Sequence, residues 1–506
     1  EETKRRLDDN DFKFVCIVRP RRFGKSIAED MLAAYYSKGA DSRGLFAPYK
    51  ISQSESFEKN LNKFNVVKID LNAMYSDWLI EKQTDNPKNH SFTNFVTDGV
   101  CAEFKTEFED LNFEGQNTIA SCIQQVWAQK REPFIVIIDE YDVLIREQVD
   151  GKELEIYRGF LNSLFKNSHL KSAIALAYLT GILPIMKDKV QSKMNEFDQI
   201  TMVDADDFAE FTGFTTDEVK ALCEKYDCNF EECKSWYDGY HLGDFEIYNP
   251  QAVIKAVPKH KFKSYWSETS SYSVVAEKIR MNFAGTKEDV ITMMGGGRVD
   301  VDVECYENTM TSFRTKDDVF TYLIHLGYLA YDEEEKQCYI PNKEIYEEWR
   351  KAIKDDENYA ETDRIIRESK QLLQDTIAMN EKAVAEGLNK AHLHVSSVRN
   401  YSNEYALHAA IYLAYIYALN GYIIAKEIPT GNGCADIVYI PFDKAKSALI
   451  VELKHNGSAS KAVEQIKSKK YFDLLDNWSG DVLFVGVNYD EKAKTHECKI
   501  ERFVKE

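Results

Sequence analysis

Short apolar runs recur along this chain in two rhythms, and each rhythm predicts an element. Residues 14–18, 134–138 and 173–179 are unbroken apolar stretches rich in β-branched side chains, the form of strands buried on both faces. After the first comes a polar loop, then Met31, Leu32 and Tyr35 at helical spacing, so strand, loop and helix follow in order. Thr215 to Glu218 caps an amphipathic helix carried by Val219, Leu222 and Tyr226. Residues 287–391 alternate helical stretches with one apolar piece at 319–331, and a charged, helix-prone run covers 344–386. A further helix opens at Asn403-Glu404-Tyr405, with Leu407, Ile411 and Ala414 on one face. Strands are expected at 422–428, 435–440 and 448–454, with a turn at 429–433, then a helix at 461–474 and a last strand at 482–487. The chain reads as α/β.

Composition narrows the class. At 506 residues the chain has room for several cores. No apolar run is long enough to span a bilayer, so no membrane partner is expected. The chain opens on Glu1 with an apolar run close behind, which implies no signal peptide and a native start lost upstream. Ten cysteines without paired spacing fit a reducing, cytoplasmic setting, and Cys223, Cys228 and Cys233 lack the two-pair layout of zinc sites. A net charge of −20 opposes indiscriminate coating of nucleic acid. From Val395 onward, however, fourteen basic residues balance fourteen acidic ones, so this part can present a basic face.

Two constellations carry chemistry. In Arg19-Pro20-Arg21-Arg22-Phe23-Gly24-Lys25-Ser26 the Gly-Lys-Ser core of a phosphate-binding loop stands between strand and helix, although Arg19 occupies the place of the usual first glycine. Gly24 admits phosphate to the backbone, Lys25 reaches the β- and γ-phosphates, and Ser26 can ligate magnesium at a helix N-terminus. Arg22 and Phe23 belong to the same loop. The apolar run at 134–138 ends in Asp139 and Glu140, the first suited to holding the magnesium and the second to orienting the attacking water as general base. A core strand with a solvated acidic turn is the plainer account of that run taken singly. Thr180 ends the third run and can sense the γ-phosphate, whereas Arg146 reads as an exposed helix-face arginine outside the site.

In Val451-Glu452-Leu453-Lys454 the glutamate and lysine share one face of a strand. Asp436, from the adjoining strand, completes a carboxylate pair for a hard divalent cation, and Lys454 can position the water and steady developing charge. An edge strand with solvated side chains is the competing reading of so short a motif. Glu404 and Gln465 are accessory candidates, Lys469, Lys470 and Tyr471 can reach backbone phosphates, and His408 and His455 read as ordinary satisfied histidines. Trp236-Tyr237-Asp238-Gly239-Tyr240 reads as an aromatic-packed turn.

The order of Arg-Pro-Arg-Arg-Phe-Gly-Lys-Ser at 19–26, Ile-Ile-Asp-Glu-Tyr-Asp at 137–142, Leu-Thr-Gly at 179–181, Trp-Tyr-Asp-Gly-Tyr at 236–240 and the Asp436, Glu452, Lys454 triplet resembles the bacterial AAA-ATPase-like proteins that end in a PD-(D/E)XK nuclease domain. Arg19 fits that family's loop. The resemblance implies a P-loop AAA-like core (1–205), a helical lid (206–285), a mostly helical connecting region (286–394) and a restriction-endonuclease-like α/β domain (395–506). It also implies ATP and magnesium at Lys25, Ser26, Asp139 and Glu140, and a second metal, magnesium or manganese, at Asp436 and Glu452 with Lys454 catalytic. The expected function is ATP control of a metal-dependent DNA nuclease, in defence or mobile-element control, with RNA and a homo-oligomer left open. The alternatives are a nucleotide-dependent switch or scaffold whose C-terminal domain only binds, and an ATP-driven remodeller of a protein partner.

Overall fold

The computed structural model describes residues 13–84, 91–185, 196–266, 272–304, 306, 313–354, 356–396, 404–430, 433–443, 445–471, 475, 478 and 480–503. The chain divides into two compact units, Glu1–Thr215 with His241–Pro250 and Asp302–Gly327, and Thr216–Tyr240 with Gln251–Val301 and Tyr328–Glu506. Residues 206–285, expected as a lid, are thus shared between the two.

The first unit is built on five parallel strands, β1 (Phe14–Val18), β2 (Asn65–Asp70), β3 (Phe134–Asp139), β4 (Ile174–Gly181) and β5 (Asp198–Ile200), in the order β2-β3-β4-β1-β5. Alternation sends the apolar runs to both faces. Phe14, Cys16, Val18, Phe134, Val136 and Ile138 pack with α2 (Leu71–Lys82), α3 (Phe92–Glu107), α4 (Ile119–Lys130) and α5 (Gly151–Phe165). On the other face Val15, Ile17, Ile135 and Ile137 meet Tyr35 and Tyr36 of α1 (Lys25–Tyr36). With both faces covered, polar side chains gather at the strands' carboxyl ends, where open parallel sheets hold ligands.

The second unit begins with α6 (Thr216–Lys225) and α7 (Phe230–Tyr237). The charged run over 344–386 becomes α8 (Lys343–Lys354), α9 (Ala360–Ile377) and the start of α10 (Glu381–Ser396). After α11 (Glu404–Ala414) comes a second five-stranded sheet of β6 (Tyr422–Thr430), β7 (Gly433–Pro441), β8 (Ala448–His455), β9 (Val482–Asp490) and β10 (Thr495–Phe503), in chain order. Only β8 and β9 run parallel, joined by the crossover helix α12 (Ala459–Ser468). Gly486 on β9 lets that helix lie close, because a Cβ there would stand 2.2 Å from the Ala459 carbonyl. The apolar side chains Ala448, Ile450, Phe484, Val463 and Ile466 fill the layer between sheet and helix.

Helix α10 crosses residues 394 and 395 without a break and is fastened to β10. Glu381 accepts from the Ile500 amide at 3.0 Å, Asn389 accepts from the His496 amide at 2.6 Å, and His392 Nδ1 lies 3.1 Å from His496 Nε2. Burial pushes His392 down to about 4 and His496 down to about 3, with the neighbouring imidazole a further cause at His496. Their folded-state values lie below the unfolded value, so their contribution is present above pH 6.5 and is lost as pH falls from there toward 4. Denaturant unfolding should therefore show a loss of roughly 2–4 kcal/mol between pH 7 and pH 5 from this pair, at about 1.4 kcal/mol per pKa unit. A His392→Asn/His496→Asn protein should lose correspondingly less, and an equal loss in both would contradict the assignment.

Candidate functional site

Each unit places a carboxylate on an apolar strand, Asp139 at the end of β3 and Glu452 within β8, and the two sites grow from these positions. In the first unit Gly24 takes up φ 85°, a left-handed conformation that turns the loop into α1. Arg22 is left-handed as well, at φ 71°. Lys25 is buried and its ammonium donates to the carbonyls of Arg19 at 2.9 Å and Pro20 at 3.0 Å, with burial lowering its pKa to about 8. Ser26 Oγ donates to Asp139 Oδ2 at 2.7 Å, and Thr180 Oγ1 donates to Asp139 Oδ1 at 2.5 Å. Ser26, Asp139 and Thr180 are thus brought together with Lys25 above the sheet. Two hydroxyls and a carboxylate are hard oxygen donors, a set that fits magnesium.

Phe23 differs in kind from its neighbours. Its side chain is fully buried and its carbonyl accepts from the Gly213 amide at 2.9 Å, so it anchors the loop. Arg19 acts alongside it. Its guanidinium, fully buried, donates to Thr212 Oγ1 at 3.0 Å, to the Val18 carbonyl at 3.0 Å and to the Thr201 carbonyl at 2.7 Å. The residue that replaces the usual glycine therefore ties the loop to the segment after β5.

Arg146 is not the exposed arginine its helical setting suggested. Its side chain is 8% exposed, 2.5 Å from Glu140 and 3.3 Å from Asp142. The reason lies in Asp142, whose Oδ2 accepts from the amides of Ile182 and Leu183 at 3.0 and 2.9 Å, a buried carboxylate that draws the guanidinium inward. Glu140 follows β3 in a left-handed turn, at φ 53°. A second residue escaped the sequence reading altogether. Glu29 is fully buried one turn beyond Lys25, and burial followed by the charge of Asp139 raises it to about 8. Its signal was an inverted helix pattern, with apolar Ile27 and Met31 exposed and the carboxylate between them inside.

In the second unit Glu452 and Lys454 share the face of β8 that also carries Ala448 and Ile450, beneath α12. Glu452 is 2% exposed, and Lys454 Nζ donates to its Oε1 at 2.9 Å. Gln465, reaching from α12, donates to the same oxygen and to Tyr471 Oη at 3.2 Å. Asp436 stands on β7 next to β8 and accepts from the Leu453 amide at 2.6 Å. Among the described residues, Glu452 Oε2 is buried without a hydrogen-bond partner. Burial and then Asp436 raise its pKa to about 7, which a divalent cation between the two carboxylates would reverse. The residues present therefore fit a hard cation. Glu404 begins α11, but its side chain lies outside the described residues.

Two parts of the chain match known family models. Residues 5–191 match the family model described as a predicted AAA-ATPase, and residues 402–499 match that of the PD-(D/E)XK nuclease superfamily. An uncharacterized protein in the vnfD 5′ region of Azotobacter chroococcum mcd 1 is 26% identical over 287 residues, which is 54% of this chain. The match spans about half of that relative's length, 51%.

Replacing Arg19 with glycine restores the general loop pattern, yet it strips partners from buried carbonyls. Arg19→Gly should destabilise the first unit by about 3 kcal/mol, measured by denaturant unfolding. Unchanged or increased stability would show that the guanidinium is no anchor.

Proposed function

From an AAA-ATPase-like domain at 5–191 and a PD-(D/E)XK nuclease-superfamily domain at 402–499, we propose that this chain binds and hydrolyses ATP and thereby controls hydrolysis of nucleic-acid phosphodiesters, with DNA as the favoured substrate. The observation that carries the reading is the buried Glu452, 2.9 Å from Lys454 and next to the Asp436 strand. An apolar strand would not otherwise hold a carboxylate and an ammonium side by side without cost.

In the first unit Lys25 and the loop amides would take the ATP phosphates, Ser26 and Asp139 the magnesium, and Glu140 would orient the attacking water. Thr180 holds Asp139 in place and would register the γ-phosphate. In the second unit Asp436 and Glu452 would hold a divalent cation, magnesium or manganese. Such an ion, when bound, supplies Lewis acidity toward the phosphate and lowers the pKa of water. Lys454 would position the nucleophile and steady the growing charge, and Gln465 fixes the rotamer of Glu452. The domain limits at 205, 285 and 394 belong to this same reading.

A second reading is favoured by one contact. Glu140 is ion-paired with Arg146 at 2.5 Å, which keeps the intended base engaged and suits a slow, nucleotide-dependent switch. The test is magnesium- or manganese-dependent plasmid cleavage with and without ATP, together with ATP binding and hydrolysis. Lys25→Ala should lose at least about tenfold in ATP affinity, and Glu140→Gln should keep affinity while hydrolysis falls about 10²-fold. Lys454→Ala should lower cleavage by about 10²-fold or more. Equal cleavage by wild type and Lys454→Ala on DNA and RNA alike would remove the nuclease claim, and ATP-dependent change in mass without cleavage would favour the switch.

A further inference from the structure

Two thiols face each other inside the first unit, and neither site uses them. Cys101 falls on the buried stripe of α3 with Val96, Val100 and Phe104, and Cys122 on that of α4 with Ile119, Ile123 and Val126. Both stripes pack with Phe134 and Val136 of β3, the strand that ends in Asp139. There the sulfurs meet, Cys122 Sγ donating to Cys101 Sγ at 3.6 Å.

The backbone around the pair is held at both helix starts and across the connection between them. Ser91 caps α3 by accepting from the Asn94 amide at 3.1 Å, and Thr118 with Ser121 forms a capping box on α4. The connection is tied back to α4, since Gln125 Nε2 donates to the Asn112 carbonyl at 2.8 Å and Lys130 lies 2.9 Å from Asp110. The thiol contact is therefore a fixed property of the helix pair. A disulfide holds its sulfurs at about 2.05 Å, and the remaining gap is of the size that rotation about two Cα–Cβ bonds can close.

The two thiols are not equivalent. Cys122 is fully buried, whereas Cys101 keeps 5% exposure. The hydrogen bond from Cys122 lowers the Cys101 pKa against the effect of burial, and Lys105, one turn further along α3, adds to it while Asp98 opposes it. The same contact, together with burial, holds Cys122 as the thiol.

We propose that Cys101 and Cys122 are a redox pair that closes a reversible disulfide on meeting a peroxide, with Cys101 the nucleophile and Cys122 the resolving thiol. The Cys101 thiolate attacks one oxygen of hydrogen peroxide, the O–O bond breaks, and Cys101 becomes a sulfenic acid while the other oxygen takes up a proton and leaves as water. Cys122 sulfur then attacks Cys101 sulfur, the S–S bond forms, and the sulfenic oxygen leaves with the Cys122 proton as a second water. Two thiols are thereby oxidised by two electrons and one peroxide is reduced to two waters. A small thiol reverses the bond by exchange. The disulfide closes the loop of residues 102–121 and fastens α3 to α4 behind the strand that ends in Asp139.

The test treats folded full-length protein with hydrogen peroxide at neutral pH, alkylates the remaining thiols and maps the peptides by mass spectrometry. A peptide joined through Cys101 and Cys122 should form, disappear with dithiothreitol, and be absent from Cys101→Ser and Cys122→Ser. Without its resolving partner, Cys101 in Cys122→Ser should be trapped as the sulfenic acid by dimedone at least about tenfold more than Cys122 is in Cys101→Ser. Half-buried Cys228 serves as the internal control for oxidant strength. Oxidation of Cys228 while Cys101 and Cys122 both remain alkylatable, a peptide joining either of them to another cysteine, or trapping at Cys101 no greater than at Cys122 overturns the proposal.

Discussion

The carboxylate of Asp139 accepts one hydroxyl from α1 and another from β4, and with these two contacts the end of β3 is pinned to both neighbours. Every other feature of the first site is arranged around it. Residues 134–138 are wholly apolar and buried, so the carboxylate at their end has no partner within its own strand and must recruit them from adjacent elements. The register of β3 on β4 sets Thr180 at the right height, and the turn at Gly24 sets Ser26 there. Lys25 is then delivered to the inside of its own loop. The apolar sheet supplies rigidity, and the strand ends supply the only places where polar groups can meet.

The second unit solves the same problem with a different sheet. Glu452 continues the row of Ala448 and Ile450 under α12, which is why it is buried, and Gln465 and Lys454 answer its first oxygen. Among the described residues its second oxygen has no hydrogen-bond partner, and burial, followed by the charge of Asp436, raises the carboxyl's pKa to about 7. Beside Asp436, that oxygen is the one a hard cation would answer under the proposed function. Gly486 contributes indirectly, since the close approach of α12 is what brings Gln465 within reach.

Much of this was legible in the sequence because apolar runs and their terminal carboxylates are local signals. The strands at 14–18, 134–139 and 448–455 and the placing of Asp436 beside Glu452 follow from alternation alone. What escaped was non-local. Strand β2 has a short, half-exposed pattern, and β10 alternates as Thr-His-Glu-Cys-Lys-Ile-Glu-Arg-Phe, with charges on the open face that hide it. The burial of Arg146 depends on Asp142 meeting two amides 40 residues or more away. Glu29 lies inside near Asp139, and its only trace in the sequence is the inverted helix pattern in which Ile27 and Met31 are exposed around a carboxylate. The apolar piece at 319–331 proved to be a helix, Lys316–His325, followed by a short strand at Ala330–Asp332, because buried runs of that length lack a distinguishing period.

The central claim is that one chain carries two cation sites of different chemistry, one completed by nucleotide and one by carboxylates alone. Counting bound manganese by electron paramagnetic resonance, with and without ATP, tests it most directly. The account predicts two ions per chain with ATP, one of them lost in Lys25→Ala and the other in Asp436→Asn/Glu452→Gln. A wild-type protein that holds one ion or none, or that loses the same ion in both variants, would contradict it.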